Sequence, residues 1–201
     1  GTSARRRTRR QPLMDLGLAG KHAVVTGASR GVGRAVAEAL LAEGMRVSFC
    51  ARAADGVRAA VEQMSALGDV HGVSLDVADH AGLVAWASQA IERAGGVDVV
   101  VPNASALGGI ANDADGWRKS FDVDVLPAVL LVDTALPSLR ERGGSVVQLG
   151  TITAVEYHHY PGGGMSYGAV KAALVNWIAQ LAKAEAPNGV RANAVSPGPI
   201  F

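Results

Sequence analysis

A glycine-rich turn between an apolar run and a helix-forming run constrains the fold of this chain more than any other feature. The run Ala23-Val24-Val25 is rich in β-branched residues, as a buried parallel strand would be. Gly27, Gly31 and Gly33 follow it, and residues 35–41 then combine helix-forming residues with apolar periodicity. This order predicts a site for a dinucleotide pyrophosphate, because glycines admit phosphates close to the backbone and the helix end offers unpaired N–H groups. By itself the turn is a moderate signal, since similar turns occur without a ligand.

Apolar β runs alternate with helical runs along the whole chain, which is typical of a parallel sheet covered on both faces. We therefore expect an α/β fold with a single domain: a Rossmann-type, doubly wound parallel sheet in three α/β/α layers. The predicted strands are 22–27, 46–51, 70–75, 97–101, 144–150 and 190–195. The predicted helices are 31–43, 56–67, 80–94, 114–140 and 165–187. Within the fourth helix, Pro127 should bend or break the hydrogen-bond ladder, and Pro137 should lie in a loosened last turn.

Charge and hydropathy narrow the possible partners. The 201 residues are 49% apolar, which argues against disorder, and no apolar run approaches the roughly 18 residues that span a bilayer. Five of the 19 basic residues lie within residues 1–10, so 14 basic residues face 18 acidic ones in the rest of the chain. This mildly acidic body gives no reason to expect nucleic acid or an anionic membrane as a partner.

The first residues and the single cysteine bear on location. Residues 1–13 are expected to be a disordered basic leader or an expression remnant ahead of a domain over 14–201, with a nucleic-acid arm as the alternative. The lone Cys50 excludes a disulfide framework within the chain and favours a reducing, cytoplasmic compartment. We expect Cys50 to be a small core residue rather than a nucleophile.

The segment after the second predicted strand indicates which dinucleotide the site takes. An acidic residue about 20 positions past the first glycines accepts the ribose 2′-hydroxyl of NAD, whereas an arginine there suits the 2′-phosphate of NADP. No carboxylate lies between Gly44 and Ala54, and Arg52 directly follows the strand. Arg30 in the glycine turn can add a second cation. We therefore predict NADP(H), with NAD(H) less favoured, against the plain alternative that both arginines are solvated surface charges.

Tyr167 and Lys171 lie four residues apart at the start of the last predicted helix and so share one of its faces. A lysine ammonium beside a phenol lowers the pKa of the phenol from about 10 toward neutral pH, which makes it a usable general acid or base for a carbonyl/alcohol pair. Thr151 ends the fifth predicted strand and can donate a hydrogen bond to the same substrate oxygen. Without further context, a tyrosine–lysine pair at this spacing is more often an ordinary feature of a helix surface.

Five segments, in order, resemble the motifs of the short-chain dehydrogenase/reductase family over about residues 21–201. Thr26–Gly33 is similar to the family's Thr-Gly-x-x-x-Gly-x-Gly loop, and Tyr167–Lys171 is similar to its Tyr-x-x-x-Lys. Asp76-Val77 is similar to its adenine-contacting aspartate and the residue after it. Pro102–Ser105 resembles its Asn-Asn-Ala-Gly motif, and Asn193–Gly198 resembles the stretch that closes over the nicotinamide.

The resemblance implies hydride transfer with a nicotinamide cofactor and a homodimer or homotetramer built on two long helices. It also implies that Tyr167 exchanges a proton, that Lys171 binds the ribose hydroxyls and tunes Tyr167, and that Thr151 orients the substrate carbonyl. The residues expected to contact the cofactor are Gly27, Ser29, Arg30, Gly31, Val32, Gly33, Arg52, Asp76, Val77, Asn103, Ala104, Tyr167, Lys171, Pro197 and Gly198. We accordingly expect an NAD(P)(H)-dependent oxidoreductase that interconverts a small-molecule carbonyl and an alcohol.

Two residues of the expected catalytic centre depart from the family pattern. Thr151 stands where the family has serine, and a threonine hydroxyl can do the same work while its methyl group crowds the pocket. Asp124 stands where an asparagine completes a proton relay to the lysine, and a carboxylate there can trap the charge of Lys171. This departure motivates an alternative function, a nucleotide-binding protein with a regulatory or scaffold role and little turnover.

Two longer segments also depart from the pattern. The loop before Tyr167 is a few residues longer than usual and carries His158 and His159, which indicate a metal only weakly, because adjacent residues rarely ligate one ion. We predict no metal site, and we expect the loop to pack or to contact the substrate. The sequence ends at Phe201, where family members continue into a segment that covers the substrate and a last strand.

Overall fold

The computed structural model describes residues 14–106, 111–156 and 165–199. The strands in this part of the chain are β1 (His22–Thr26), β2 (Arg46–Ala51), β3 (Val70–Ser74), β4 (Val99–Val101), β5 (Ser145–Leu149) and β6 (Arg191–Val195). The α-helices are α1 (Gly31–Ala42), α2 (Ala54–Met64), α3 (His80–Ala94), α4 (Ala114–Ser120), α5 (Leu126–Arg142) and α6 (Met165–Glu185). A π-helical turn (Phe121–Val125) joins α4 to α5, and short 3₁₀ turns occupy Ile152–Ala154 and Ala186–Asn188.

The strands form one parallel sheet in the order β3-β2-β1-β4-β5-β6. The predicted doubly wound α/β fold is therefore confirmed. Strand order reverses direction between β1 and β4, where Val24 lies opposite Ser48 on one side and Val100 on the other. In such sheets a crevice opens at the carboxyl ends of the strands beside this switch point, and ligands bind there.

Two apolar cores lie on opposite faces of the sheet because successive side chains of a strand point to opposite sides. Val24 and Val100 pack with residues of α3, α5 and α6 on one face. Ala23 and Val25 pack with residues of α1 and α2 on the other. Cys50 lies in β2 with its side chain fully buried, and burial raises the pKa of its thiol to about 12, as suits a core residue and not a nucleophile.

The predicted helix over 114–140 is interrupted by the π-helical turn. The Leu126 N–H donates to the Phe121 carbonyl across that turn, and Pro127 comes next with no N–H to donate, so the expected break near Pro127 is confirmed. The prediction for Pro137 was wrong. It lies inside α5, which continues to Arg142 because Gly143 supplies a left-handed C-cap (φ 60°).

The remaining boundaries shift by a few residues. Helix α6 ends at Glu185 rather than 187, because Pro187 has no N–H and the chain tightens there into a 3₁₀ turn. Within the described residues, no helix combines the length and the apolar character needed to cross a membrane.

Candidate active site

The glycine turn after β1 is held close to the end of β4. Gly27 and Gly31 adopt left-handed backbone angles (φ 71° and 61°), which glycine adopts without strain. Position 33 has no room for a side chain, because an added Cβ would lie 2.3 Å from Asn103 Nδ2 and 2.6 Å from the Gly27 carbonyl oxygen. Asn103 Nδ2 donates to the carbonyls of Thr26 and Gly27 at 2.8 and 3.1 Å, which fixes the turn against the strand.

The N-terminus of α1 is open to an anion. Arg30 is the N-cap in extended conformation, and its side chain makes no capping hydrogen bond to the first turn. The first N–H groups of α1 and the positive end of its dipole therefore remain available for a phosphate. Thr26 Oγ1 is already committed, since it accepts the N–H groups of Asn103 and Ala104 at 3.0 and 3.1 Å.

A cavity of about 730 Å³ opens at the carboxyl edge of the sheet. Among the residues predicted for the site, those that line it are Gly27, Ser29, Arg30, Gly31, Val32, Gly33, Arg52, Val77, Asn103, Ala104, Thr151, Tyr167, Lys171, Pro197 and Gly198. The other lining residues, which the sequence analysis did not include among the cofactor contacts, are Ala51, Ala53, Leu75, Ser105, Val123, Leu149 and Gly150. The glycine turn and the tyrosine–lysine pair thus open onto one volume, which is large enough for a dinucleotide or a comparable ligand.

Asp76 lies outside the cavity lining, although Val77 next to it contributes to the wall. The exposed Asp76 side chain accepts the N–H of Ala78 at 3.0 Å, which stabilises the turn after β3. Its predicted contact with the adenine ring stays a prediction.

Two arginines supply positive charge at the rim of the cavity. Arg30 precedes α1 and Arg52 follows β2, and both are exposed. Neither side chain forms an ion pair or hydrogen bond with any described residue. The backbone at Arg52 is held in place, because the Arg52 carbonyl accepts a hydrogen bond from the Ser74 hydroxyl at 2.9 Å. Two unpaired cations suit a phosphate at this end of the site.

Tyr167 and Lys171 lie on the first two turns of α6 and line the same cavity as the glycine turn. Lys171 Nζ lies 5.9 Å from the centre of the Tyr167 ring, and the lysine side chain is 2% exposed. Nζ also donates to the Leu149 carbonyl at 3.4 Å and lies 3.0 Å from Asp124 Oδ1. The helix therefore holds a buried ammonium close to a partly exposed phenol.

Thr151 follows β5 and caps the 3₁₀ turn with its side chain. Its Oγ1 accepts hydrogen bonds from the Thr153 hydroxyl at 3.2 Å and, more weakly, from the Thr153 N–H at 3.4 Å. Since both contacts use acceptor capacity, the Thr151 proton remains available to donate into the cavity. The sequence analysis did not name Thr153, although a threonine hydroxyl that accepts the N–H two residues further on is a known turn signal.

A buried pair of serines supports the start of α6. Ser120 Oγ and Ser166 Oγ lie 2.8 Å apart with both residues fully buried, which ties the end of α4 to the residue before Tyr167. Sequence reasoning could not find this pair, because nothing local indicates that serines 46 residues apart meet. The expected loop residues Tyr157, His158, His159 and Tyr160 lie outside the described residues.

A parallel sheet with an open helix N-terminus and a tyrosine–lysine pair at one edge defines the class of dinucleotide-dependent oxidoreductases. Comparison with known proteins makes the class specific. Residues 21–201 match the model of a protein family that is described as short chain dehydrogenase. The chain belongs to this family.

Three relatives illustrate the likeness. Isoepoxydon dehydrogenase of Penicillium expansum is 32% identical over 195 residues, which cover 94% of this chain and 74% of the relative. The structure of L-sorbose reductase from Gluconobacter frateurii in complex with NADPH and L-sorbose superposes with a TM-score of 0.86 at 31% identity, covering 94% of this chain and 73% of that one. The Pseudomonas aeruginosa RhlG/NADP complex gives 0.84 at 30% identity, with 92% and 74% covered. The chain thus spans about three quarters of these proteins, and together they support NAD(P)-dependent interconversion of a carbonyl and an alcohol.

Proposed function

We propose that this chain is an NADP(H)-preferring oxidoreductase that interconverts a small-molecule carbonyl and an alcohol, with Tyr167 as the proton donor and acceptor. The observation that carries the proposal is that one cavity is lined by the glycine turn at the start of α1 and by the Tyr167–Lys171 pair at the start of α6. The first feature suits a dinucleotide phosphate, and the second suits proton exchange.

The residues of the cavity fit a nicotinamide dinucleotide, which when bound supplies or accepts the hydride. A Cβ at position 33 would clash with Asn103 and the Gly27 carbonyl, so glycine there lets α1 pack closely against the turn. A Cβ at position 31 would meet no described atom within 4 Å, so the backbone there is open to a pyrophosphate. The residues proposed to hold the cofactor are Gly27, Ser29, Arg30, Gly31, Val32, Gly33, Arg52, Val77, Asn103, Ala104, Tyr167, Lys171, Pro197 and Gly198.

During reduction, Tyr167 would give its phenolic proton to the carbonyl oxygen as that oxygen gains negative charge. Thr151, whose own proton is available, would donate a hydrogen bond to the same oxygen and hold it in place. The Lys171 ammonium would stabilise the phenolate that remains. Oxidation runs through the same positions in reverse, with Tyr167 accepting the proton of the alcohol.

Tyr167→Phe tests the proposal, because it removes the proton and little else. We expect turnover to fall by about 10²–10⁴-fold, the usual contribution of a positioned acid or base, while NADPH still binds. The measurement is NADPH oxidation with a panel of ketones and aldehydes, together with a binding titration of the same variant. A Tyr167→Phe chain that keeps most of its activity would remove Tyr167 from this role, and cofactor binding without any wild-type turnover would favour a regulatory or scaffold function.

The preference for NADP(H) is supported by the two arginines at the cavity rim. Arg30 and Arg52 stand on the two loops that flank the expected ribose, and neither is neutralised by a described carboxylate. Hydrogen bonds to charged groups contribute about 1.5–3 kcal/mol each, so loss of one arginine should weaken NADPH binding at least tenfold. Arg52→Ala is expected to lower the affinity for NADPH and to leave that for NADH unchanged.

We also propose a homodimer or homotetramer in the cytoplasm. Trp117 and Phe121, one helical turn apart, are 42% and 47% exposed at the junction of α4 and the π-helical turn, which suits an apolar contact between copies. Cys50 is a free, buried cysteine, which is consistent with a reducing compartment. Sedimentation velocity of the purified chain tests the assembly, and a monomer at micromolar concentration would contradict it.

A further inference from the structure

Asp124 lies on the π-helical turn between α4 and α5, and its side chain is fully buried beside Lys171. Asp124 Oδ2 accepts the Ala106 N–H at 3.0 Å, which anchors the chain just after β4. Asp124 Oδ1 lies 3.0 Å from Lys171 Nζ, off the direction of a hydrogen bond, so the contact is a buried ion pair and Oδ1 holds no hydrogen bond with the described residues. One carboxylate therefore faces both the lysine and the segment that leads out of the sheet.

In the described part of the chain, Asp124 is the buried charge that faces Lys171. The other charged groups on the elements packed against this part of α6 are exposed: the Asp115–Arg118 pair and Lys119 on α4, Asp122 on the π-helical turn, Glu156 and Arg191. At the far end of α6, Lys183 is exposed and buried Glu185 is paired with Arg140. His80 on α3 reaches the same turn and donates to the Asp122 carbonyl at 2.9 Å. Arg30 and Arg52 line the cavity as exposed cations. Exposed charges are screened by solvent, whereas the buried pair is not.

A carboxylate 3.0 Å from the ammonium changes what the ammonium does to Tyr167. Lys171 alone presents a full positive charge 5.9 Å from the ring centre and would strongly favour the phenolate. Paired with Asp124, it presents a dipole whose field falls off faster, so the phenol keeps its proton to higher pH. The ion pair also fixes Nζ between Asp124 and the Leu149 carbonyl.

We propose that Asp124 is a positioning residue that holds Lys171 by a direct ion pair and sets, through it, the pH at which Tyr167 gains or loses its proton. The inference rests on the proposed function of Tyr167 as the acid and base. With Asp124 present, Tyr167 keeps its proton, and so remains a proton donor, to a higher pH than it would with a neutral residue at position 124. Such a site is adapted to carbonyl reduction, which needs the protonated phenol.

Asp124→Asn tests the proposal, because its amide oxygen can still accept the Ala106 N–H while the negative charge is gone. We expect the midpoint of the Tyr167 titration to move down by about one pH unit, the size of one unpaired charge several ångströms away at an intermediate dielectric. Alcohol oxidation, which needs the phenolate, should reach half of its maximum at correspondingly lower pH. The rate of carbonyl reduction, which needs the protonated phenol, should correspondingly begin to fall at a lower pH in Asp124→Asn than in the wild type.

The measurement is the ultraviolet difference absorbance of the phenolate as pH is raised, for each chain and for the same chain carrying Tyr167→Phe. Subtracting one titration from the other isolates Tyr167 from Tyr157 and Tyr160. Asp122→Asn is the matched control, since it removes the same charge from the same turn at an exposed position, and it should leave the midpoint unchanged. Asp124→Glu keeps the charge and should hold the midpoint close to that of the wild type.

An Asp124→Asn midpoint that equals the wild-type value, or that moves up, overturns the proposal. If Asp124→Asn fails to fold, Asp124→Ser is the second neutral variant and must move the midpoint down as well. Because the absorbance titration needs no turnover, a wild-type chain without activity would count against the proposed function, while the midpoints still decide the role of Asp124.

Discussion

The two edges of the sheet use polar residues in opposite ways. At the carboxyl edge, the α1 N-terminus, Arg30 and Arg52 keep hydrogen-bonding capacity that no described residue takes up. At the amino edge, His22 is buried with both ring nitrogens engaged. Nδ1 donates to the Gly96 carbonyl at 2.8 Å, so Nε2 must accept from the Ser48 hydroxyl at 3.0 Å. Burial lowers the pKa of His22, which keeps the ring neutral in this arrangement.

The C-terminal and N-terminal ends of the helices, which lie at the amino and carboxyl edges respectively, differ in the same way. Where α5 and α6 end, Arg140 donates to both carboxylate oxygens of Glu185, at 2.6 and 2.8 Å, and Asn188 donates to the same group at 2.9 Å. Where α6 begins, Lys171 is buried with a carboxylate and a carbonyl, and still lines the cavity. The comparison indicates that stability and chemistry are separated along the strands. The buried polar groups His22 and Glu185 at the amino edge are paired internally, whereas the donors of Arg30, Arg52 and the α1 N-terminus at the carboxyl edge stay open to the proposed ligand.

Among the variants that compare the two edges, Thr151→Ala should have the largest effect, and that effect should be confined to the carboxyl edge. Loss of a hydroxyl that stabilises a developing oxyanion costs about 10²–10³-fold in turnover, so we expect a fall of at least about a hundredfold in kcat. A small drop in melting temperature should accompany it, because the Thr151 side chain also caps the 3₁₀ turn. Thr151→Ser keeps the donor and should stay active. Steady-state kinetics of the two variants check this, and an unimpaired Thr151→Ala chain would remove Thr151 from the site.

Gly33→Ala should weaken cofactor binding by about tenfold or more, because the new Cβ would lie 2.3 Å from Asn103 Nδ2 and 2.6 Å from the Gly27 carbonyl oxygen, and the turn must shift. Gly56→Ala is the matched control. It lies in α2 outside the cavity lining, and its nearest neighbour to an added Cβ is 3.7 Å away. An NADPH titration of both variants measures the effect, and equal affinities would show that the turn does not approach the cofactor.

Glu185→Gln should affect the amino edge alone, and its effect is the smallest. We expect a melting temperature about 2–4 °C lower with unchanged turnover, because the bidentate pair with Arg140 is lost. The hydrogen bonds from Arg140 and then Asn188 hold the pKa of Glu185 at about 2, below its ordinary value of 4.5. The stabilisation is thus fully present above pH 4.5 and is lost as the pH falls toward 2, so the wild-type and variant melting curves should converge over that window. A difference that stays constant down to pH 2 would mean that the pair does not stabilise the fold through its charge.

The order and type of the elements could be predicted from the sequence because the apolar pattern is local. Strands β1, β4 and β5 each contain a run of consecutive valines, and the alternation of strands with helices along the chain determines the architecture. The effects of Pro127 and Pro137 on the helix could be predicted only in part. Pro127 marks the break that was expected, but the π-helical form of the turn depends on contacts with α6, and Pro137 is accommodated inside α5.

The residues of the site likewise fall into those that local sequence predicts and those that it does not. The glycine turn, Arg52 and the Tyr167–Lys171 pair could be found because each feature lies within a few residues of chain, and all of them line the cavity. The Ser120–Ser166 pair could not be predicted because its role arises only when distant segments meet, whereas the Thr151–Thr153 contact is local and could have been predicted as a threonine turn. The resemblance to the family drew attention to Asp124, but it could not show that the carboxylate contacts Lys171 directly.

The measurement that tests the central claim most directly is a fluorescence titration of the wild-type chain with NADPH and, in parallel, with NADH. Arg52→Ala and the exposed Arg58→Ala on α2, which is paired with Asp55 and lies outside the cavity lining, complete the set. We predict saturable binding with NADPH favoured, a loss of that preference in Arg52→Ala, and no change in Arg58→Ala. Failure of the wild-type chain to bind either nucleotide would contradict the claim that the carboxyl edge is a nicotinamide dinucleotide site.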